Sequence, residues 1–111
     1  TAIAKGNNHS AKEYAEAIDF RKRSYESYKE VFEDYHGILS PASPGVAPRG
    51  LKSTGTAEVN KVWSYLGTPC ISLPLLEGEN NLPLGVQLIG DRNDDHRFLG
   101  VANWLEKECN N

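Results

Sequence analysis

The stretch Val59-Asn60-Lys61-Val62-Trp63-Ser64-Tyr65-Leu66-Gly67-Thr68-Pro69-Cys70-Ile71-Ser72-Leu73-Pro74-Leu75 changes its hydrophobic period halfway along. Val59, Val62, Trp63 and Leu66 recur at i, i+3, i+4 and i+7, which predicts one face of a helix. Gly67 stands where a helix prefers its terminal glycine. Ile71, Leu73 and Leu75 then alternate, the period of a strand. After a turn over Glu77 to Asn81, Leu84 to Ile89 reads as a second strand. The turn is short enough for an antiparallel hairpin.

Upstream, Ser10-Ala11-Lys12-Glu13 is a capping box, Ser as N-cap with Glu three residues on. Tyr14, Ala17, Ile18, Tyr25, Tyr28, Phe32 and Tyr35 follow as one apolar stripe, predicting a helix of about 25 residues closed at Gly37. Ile38 and Leu39 form a short strand candidate cut off at Pro41, since proline gives nothing to a sheet ladder. Pro41 to Thr54 holds three prolines and little periodicity, a long loop of the kind that is usually functional or disordered. Asp91 or Asn93 can cap a last helix with Phe98, Leu99, Ala102 and Leu105 on its buried face.

The predicted order is helix, strand, helix, strand, strand, helix. A strand–helix–strand crossover favours a parallel pair. The fold class is therefore α/β, a mixed sheet, mostly parallel plus one hairpin, flanked by helices. Residues 1–9 read as a flexible stub and residues 10–108 as a single unit.

Composition narrows the function classes. A net charge of −3 leaves no basic footprint for nucleic acid and no polybasic membrane anchor. No apolar run approaches the roughly 20 residues that span a bilayer. Thr1-Ala2-Ile3-Ala4-Lys5-Gly6 is too short and polar for a secretion signal. Cys70 and Cys109 are too few for a disulfide framework and fit a reducing, cytoplasmic setting. Arg21-Lys22-Arg23 is one turn of a solvated helix face. Asp91, Asp94, Asp95 and His96 lack the glycine and terminal glutamate of a calcium loop, and acidic residues entering a helix are explained by its dipole. No metal or cofactor is expected. Cys70 beside His36 or His96 would suggest a thiol hydrolase, but a cysteine between Pro69 and Ile71 reads as a small buried hydrophobe.

Three blocks in order carry a family likeness: Leu39-Ser40-Pro41-Ala42-Ser43-Pro44-Gly45, Trp63 to Pro74, and Leu82-Pro83-Leu84-Gly85-Val86-Gln87-Leu88-Ile89-Gly90. Together they resemble the C-terminal part of the amidase signature family, hydrolases of linear amides. The likeness covers about Tyr14 to Leu105. In that family a serine is activated through a second serine on a cis peptide by a lysine, near a Gly/Ser-rich segment that stabilises the oxyanion. This chain has eight scattered serines, no Ser-Ser and no Gly-Gly. No catalytic residue is carried over, and the chain by itself is expected to be inactive.

The resemblance implies instead a sheet and a pocket wall. Ser43, Thr56, Asn60 and Trp63 are the implied substrate-side residues. Trp63 also lies on the apolar stripe, where core packing is the plainer role, and Asn60 off it, where solvation is. Thr54-Gly55-Thr56 departs from family members that carry Asp after the glycine. Gln87, flanked by Val, Leu and Ile, reads as a half-buried amide in need of partners, most simply loop backbone. The implied partners are the catalytic N-terminal part of the amidase and a small amide substrate, with a homo-oligomer possible. Two other functions stand beside this one: the tail of a glutamine-hydrolysing aminoacyl-tRNA amidotransferase subunit, and a non-catalytic interaction module on the same scaffold. The Trp63 helix and the loop around Gly45 look more like the small-molecule amidases than the transfer-RNA branch.

Overall fold

The computed structural model describes residues 2–110. Helix α1 (Ala2–Gly6) lies within the opening stretch, and α2 spans Ala11–Asp34. They are followed by β1 (Ile38–Pro41), α3 (Glu58–Leu66), β2 (Cys70–Glu77), a single 3-10 turn at Glu79–Asn81, β3 (Pro83–Ile89) and α4 (Asp95–Cys109).

The capping box forms as written. Glu13 N donates to Ser10 Oγ at 3.2 Å and Ser10 N to Glu13 Oε2 at 2.7 Å, satisfying two of the donors a helix start leaves open. The other end differs from expectation. The C-cap of α2 is Tyr35 in an extended conformation, so Gly37 does not close the helix. Gly37 is needed for a different reason: a Cβ there would stand 2.7 Å from Leu88 Cδ1 and 2.9 Å from Ile89 O. Gly67, by contrast, caps α3 as read, at φ 71° and ψ 33°, its N–H bonded to Trp63 O.

The sheet corrects the mostly parallel expectation. Its order is β1-β3-β2, and both neighbouring pairs are antiparallel. Ile38 and Cys70 both face Ile89, and Ser40 and Ser72 both face Gln87. Because each outer strand opposes β3, β1 and β2 do run in one direction, as the crossover rule requires. That rule governs direction and not adjacency. The short return through residues 78–82 lays β3 beside β2, and its run from Gln87 to Ile89, buried throughout, takes the central position.

Two small cores lie on opposite faces. One joins Phe32, Trp63, Leu66 and Ile89, with Tyr25, Tyr28 and Ile38 against it. The other joins Leu88, Phe98 and Ala102, with Ile71 and Val101. The α2 stripe is only partly used: Phe32 is buried and Tyr25 and Tyr28 are half-buried, whereas Tyr14 and Tyr35 are exposed. On α4, Leu99 is exposed and Val101 takes the place expected of it. The N-cap of α4 is Asp94, whose side chain makes no capping bond and instead pairs with Arg97 at 3.6 Å. Asn93 instead adopts a left-handed φ of 59° in the turn before it.

The radius of gyration is 16.9 Å, and the smallest dimension is 17 Å against 52 Å for the largest. A compact domain of this length would measure about 13 Å. The chain is a slab with large exposed apolar side chains, among them Phe20, Leu39 and Trp104.

Candidate functional site

The face of the sheet that packs on α3 also carries the polar positions. Strand alternation puts Ser40, Gln87, Ser72 and Cys70 on the side where Ile89 meets Trp63 and Leu66. Beyond the end of that core the helix and sheet separate around a cavity of about 370 Å³. Helix α3 contributes Asn60, Trp63 and Ser64; the strands contribute Cys70, Ser72 and Gln87.

Gln87 is 5% exposed and its amide nitrogen is fully used. Nε2 donates to Pro41 O at 3.1 Å and Val59 O at 3.2 Å, with Ser40 Oγ at 3.5 Å. Both carbonyls can only accept, which fixes the orientation of the amide. The side chain therefore ties the exit of β1 to the first turn of α3, the backbone role expected of it. Asn60 is half-buried and adds a second tie, Nδ2 to Ala42 O at 3.1 Å. It is neither simply solvated nor free.

Trp63 has two roles. Its ring meets Tyr28 edge-on, centroids 5.6 Å apart at 78°, inside the core. It also lines the cavity, and among the described residues its buried Nε1 has no hydrogen-bond partner.

Ser43 and Thr56 are elsewhere. They line a separate cavity of about 390 Å³ enclosed by the Pro44–Pro48 bend, Gly55 and Pro83. There Ser43 Oγ donates to Gly45 O at 2.6 Å. The four residues implied by the resemblance thus divide into two pairs, flanking Ala42, whose carbonyl Asn60 holds. The missed cavity residues are Ser64, Thr68, Ser72 and Cys70. The pairing register, Cys70 to Ile89 and Ser72 to Gln87, brings the two strand residues to Gln87, and a single sequence does not display register.

Cys70 is exposed, which corrects its reading as a buried hydrophobe. It starts an edge strand, so one side lacks a neighbour. Partial desolvation pushes its thiol above the ordinary value, the opposite of what an activated nucleophile needs. His36 is engaged on the far side of the sheet, with Arg97 Nη2 2.8 Å from Nδ1. Neither it nor His96 lines the Cys70 cavity. Among the described residues no group of three His, Cys, Asp or Glu side chains is placed to hold a metal, and no helix is long and apolar enough to cross a membrane. Asp91 accepts from Tyr25 Oη and from Arg92 N.

Comparison with known proteins identifies the family. A profile of the Amidase family matches residues 1–99. The chain is 36% identical over 106 residues to a glutamyl-tRNA(Gln) amidotransferase subunit of Alkaliphilus metalliredigens, covering 86% of this chain and 21% of that protein. It is 31% identical over 104 residues to the corresponding protein of Helicobacter hepaticus, which has the same name, covering 88% and 23%. To fatty acid amide hydrolase of Medicago truncatula it is 29% identical over 121 residues, covering 98% and 20%. It spans about a fifth of the length of these curated relatives. With the three sequence blocks and a profile match over residues 1–99, the chain belongs to the amidase signature family of carbon–nitrogen hydrolases.

Proposed function

We propose that this chain forms the C-terminal section of an amidase, completing its sheet and walling the substrate side of its cleft while the nucleophile comes from another part of the protein. The observation that carries this is the shape of the chain. A slab 17 Å thick with Phe20, Leu39 and Trp104 exposed has apolar surface that its own core does not cover. The cavity under α3 supplies polar groups but no base near a reactive nucleophile. Asn60 and Trp63 on that wall, and Ser43 and Thr56 in the neighbouring cavity, are the substrate-side residues, and the substrate is a small linear amide. The catalytic N-terminal section is the principal contact of the exposed faces.

A second reading is favoured by the names of the relatives. Similarity to two glutamyl-tRNA(Gln) amidotransferase subunits supports glutamine as the amide and further subunits as partners. Ammonia release from propionamide and from glutamine, measured on the whole protein carrying this chain and on residues 1–111 alone, separates the readings. Turnover of the monoamide by the whole protein supports the first, and of glutamine only, the second. Full turnover by residues 1–111 alone overturns both. No turnover by the whole protein leaves the interaction module.

A further inference from the structure

Arg21 and Arg92 meet where α2, the end of α3 and the exit of β3 come together. A Cβ placed on Gly67 would stand 2.8 Å from Arg21 Nη2 and 3.6 Å from Arg92 Nη2, so both guanidiniums reach one point. Both side chains are half-buried, whereas Lys22 and Arg23 beside Arg21 are exposed. Arg92 also lies over the Tyr25 ring, 3.7 Å from its centroid, which holds it in place. Two like charges this close repel, and partial burial weakens the screening that relieves such repulsion at an open surface.

Among the described residues nothing answers that charge. Neither guanidinium has a hydrogen-bond acceptor or an ion-pair partner there. The residues one turn from Arg21 on α2 are Ala17, Ile18, Ser24 and Tyr25, none of them acidic. Arg23 and Arg97, by contrast, pair with Asp19 and Asp94. Asp91 spends Oδ1 on Tyr25 Oη and Arg92 N and pairs with neither guanidinium. The α3 terminus supplies about half a negative charge. With Asp91 and that terminus counted, the surplus is about half a positive charge, which one carboxylate answers and a phosphate dianion far exceeds. Arg92 Nε is enclosed, but the Nη atoms of both side chains are not, so an incoming oxygen has access to them. Tyr65, 39% exposed, donates to Ala17 O one turn from Arg21. Arginines beside a half-covered tyrosine are the composition of a protein docking site, not of a solvated face.

We propose that Arg21 and Arg92 form a clamp for one Asp or Glu side chain of the catalytic section of the same protein, and so anchor this slab against it. The chain spans about a fifth of the length of its curated relatives, which leaves most of such a protein to supply the acid. The assignment rests on the reading above that this chain is a section of an amidase, because it names the chemistry of that partner. A carboxylate has two acceptor oxygens, one for each guanidinium, and charge-assisted bonds of this kind fix geometry as well as adding attraction.

The test is zero-length cross-linking of the whole native protein carrying Arg21→Lys, and separately Arg92→Lys. A water-soluble carbodiimide adds the carboxyl oxygen to its central carbon, and its nitrogen takes a proton. The lysine amine then attacks the acyl carbon, an amide bond forms, and the reagent leaves as its urea. Peptide mass spectrometry identifies the acid joined to position 21 or 92. The native Lys12–Glu16 pair, 3.8 Å apart, is the control that the reagent has acted. The expected result is that both variants couple to the same Asp or Glu outside residues 1–111, and that the unsubstituted protein does not. Coupling only to Asp91, or to an acid of a second copy of residues 1–111, would overturn the assignment. So would no coupling while Lys12–Glu16 forms, or coupling abolished by inorganic phosphate but not by chloride of equal ionic strength, which would mark a site for a free anion. The readout does not depend on turnover. A whole protein that gives the cross-link but hydrolyses no amide refutes the amidase reading alone, and one that hydrolyses amides without the cross-link refutes this clamp alone.

Discussion

The phenol of Tyr25 donates to Asp91 Oδ1 at 2.5 Å, joining the middle of α2 to the exit of β3 across 66 residues of sequence. Arg92, next in the chain, lies 3.7 Å above the same ring. Desolvation, then the bond to Asp91, hold the phenol above its ordinary titration range. The proton therefore stays on Tyr25 through neutral pH. A group whose folded pKa is raised contributes stability that is whole below its unfolded value of about 10 and lost as pH climbs through the folded value. Tyr25→Phe should cost about 1–2 kcal/mol at pH 7. The difference between wild type and variant should shrink above pH 10. Urea midpoints at pH 7 and above 10 check this, and a gap that widens in base would contradict it.

Replacing Gly37 distinguishes its two roles. A helix-closing glycine in the left-handed region tolerates Asn, but Gly37 fails for want of space against Leu88 and the Ile89 carbonyl. Gly37→Ala and Gly37→Asn should both destabilise, by about 1–3 kcal/mol. At Gly67, which is left-handed, Asn should be milder than Ala. Thermal melts of the four variants decide the matter.

Gln87→Leu removes the donor shared by Pro41 O and Val59 O. Pro41 O keeps the Ser40 hydroxyl at 3.2 Å, so losing the two donations from Gln87 should cost about 1–2 kcal/mol. Gln87→Glu, similar in shape but without N–H donors, should be no better. Denaturant unfolding of the whole protein measures both, and a Glu variant as stable as wild type would show that the two bonds contribute nothing.

Asn60→Ala frees the Ala42 carbonyl and the loop that separates the two cavities. In the whole protein KM for a linear amide should rise about three- to tenfold, with kcat changed less. A fall in kcat at constant KM would instead place Asn60 in the chemical step.

Residues 1–111 taken alone should associate or bind a hydrophobic dye. Tyr14, Phe20 and Trp104 are each more than half exposed, at 69%, 58% and 60%, and both outer strands have a free edge. Sedimentation of a monodisperse monomer with a cooperative melt would show that the slab is self-sufficient.

Several features were readable because they depend on neighbours along the chain. The Ser10–Glu13 box, the Gly67 cap and the β2–β3 return are local geometry, and the three sequence blocks carried the family. Others depended on which strand lies beside which. Nothing in Ile38-Leu39-Ser40 says that it pairs with β3 and not β2. Gly37 looked like a cap because its contact with Leu88 comes from 51 positions away in the chain. Leu99 fitted the α4 period as well as Val101 did, and packing against the sheet, where Val101 joins Leu88 and Ile71, chose between them.

What the linear order of residues settled by itself was α2 to α4, the three strands and the family, because capping, period and turn chemistry act over a few residues. What only the folded chain decided was that Cys70, Ser72 and Gln87 share a cavity with Asn60 while Ser43 and Thr56 line another. Cross-strand register brings distant residues onto one face, and a shift of a single position would have turned every one of them to the other side.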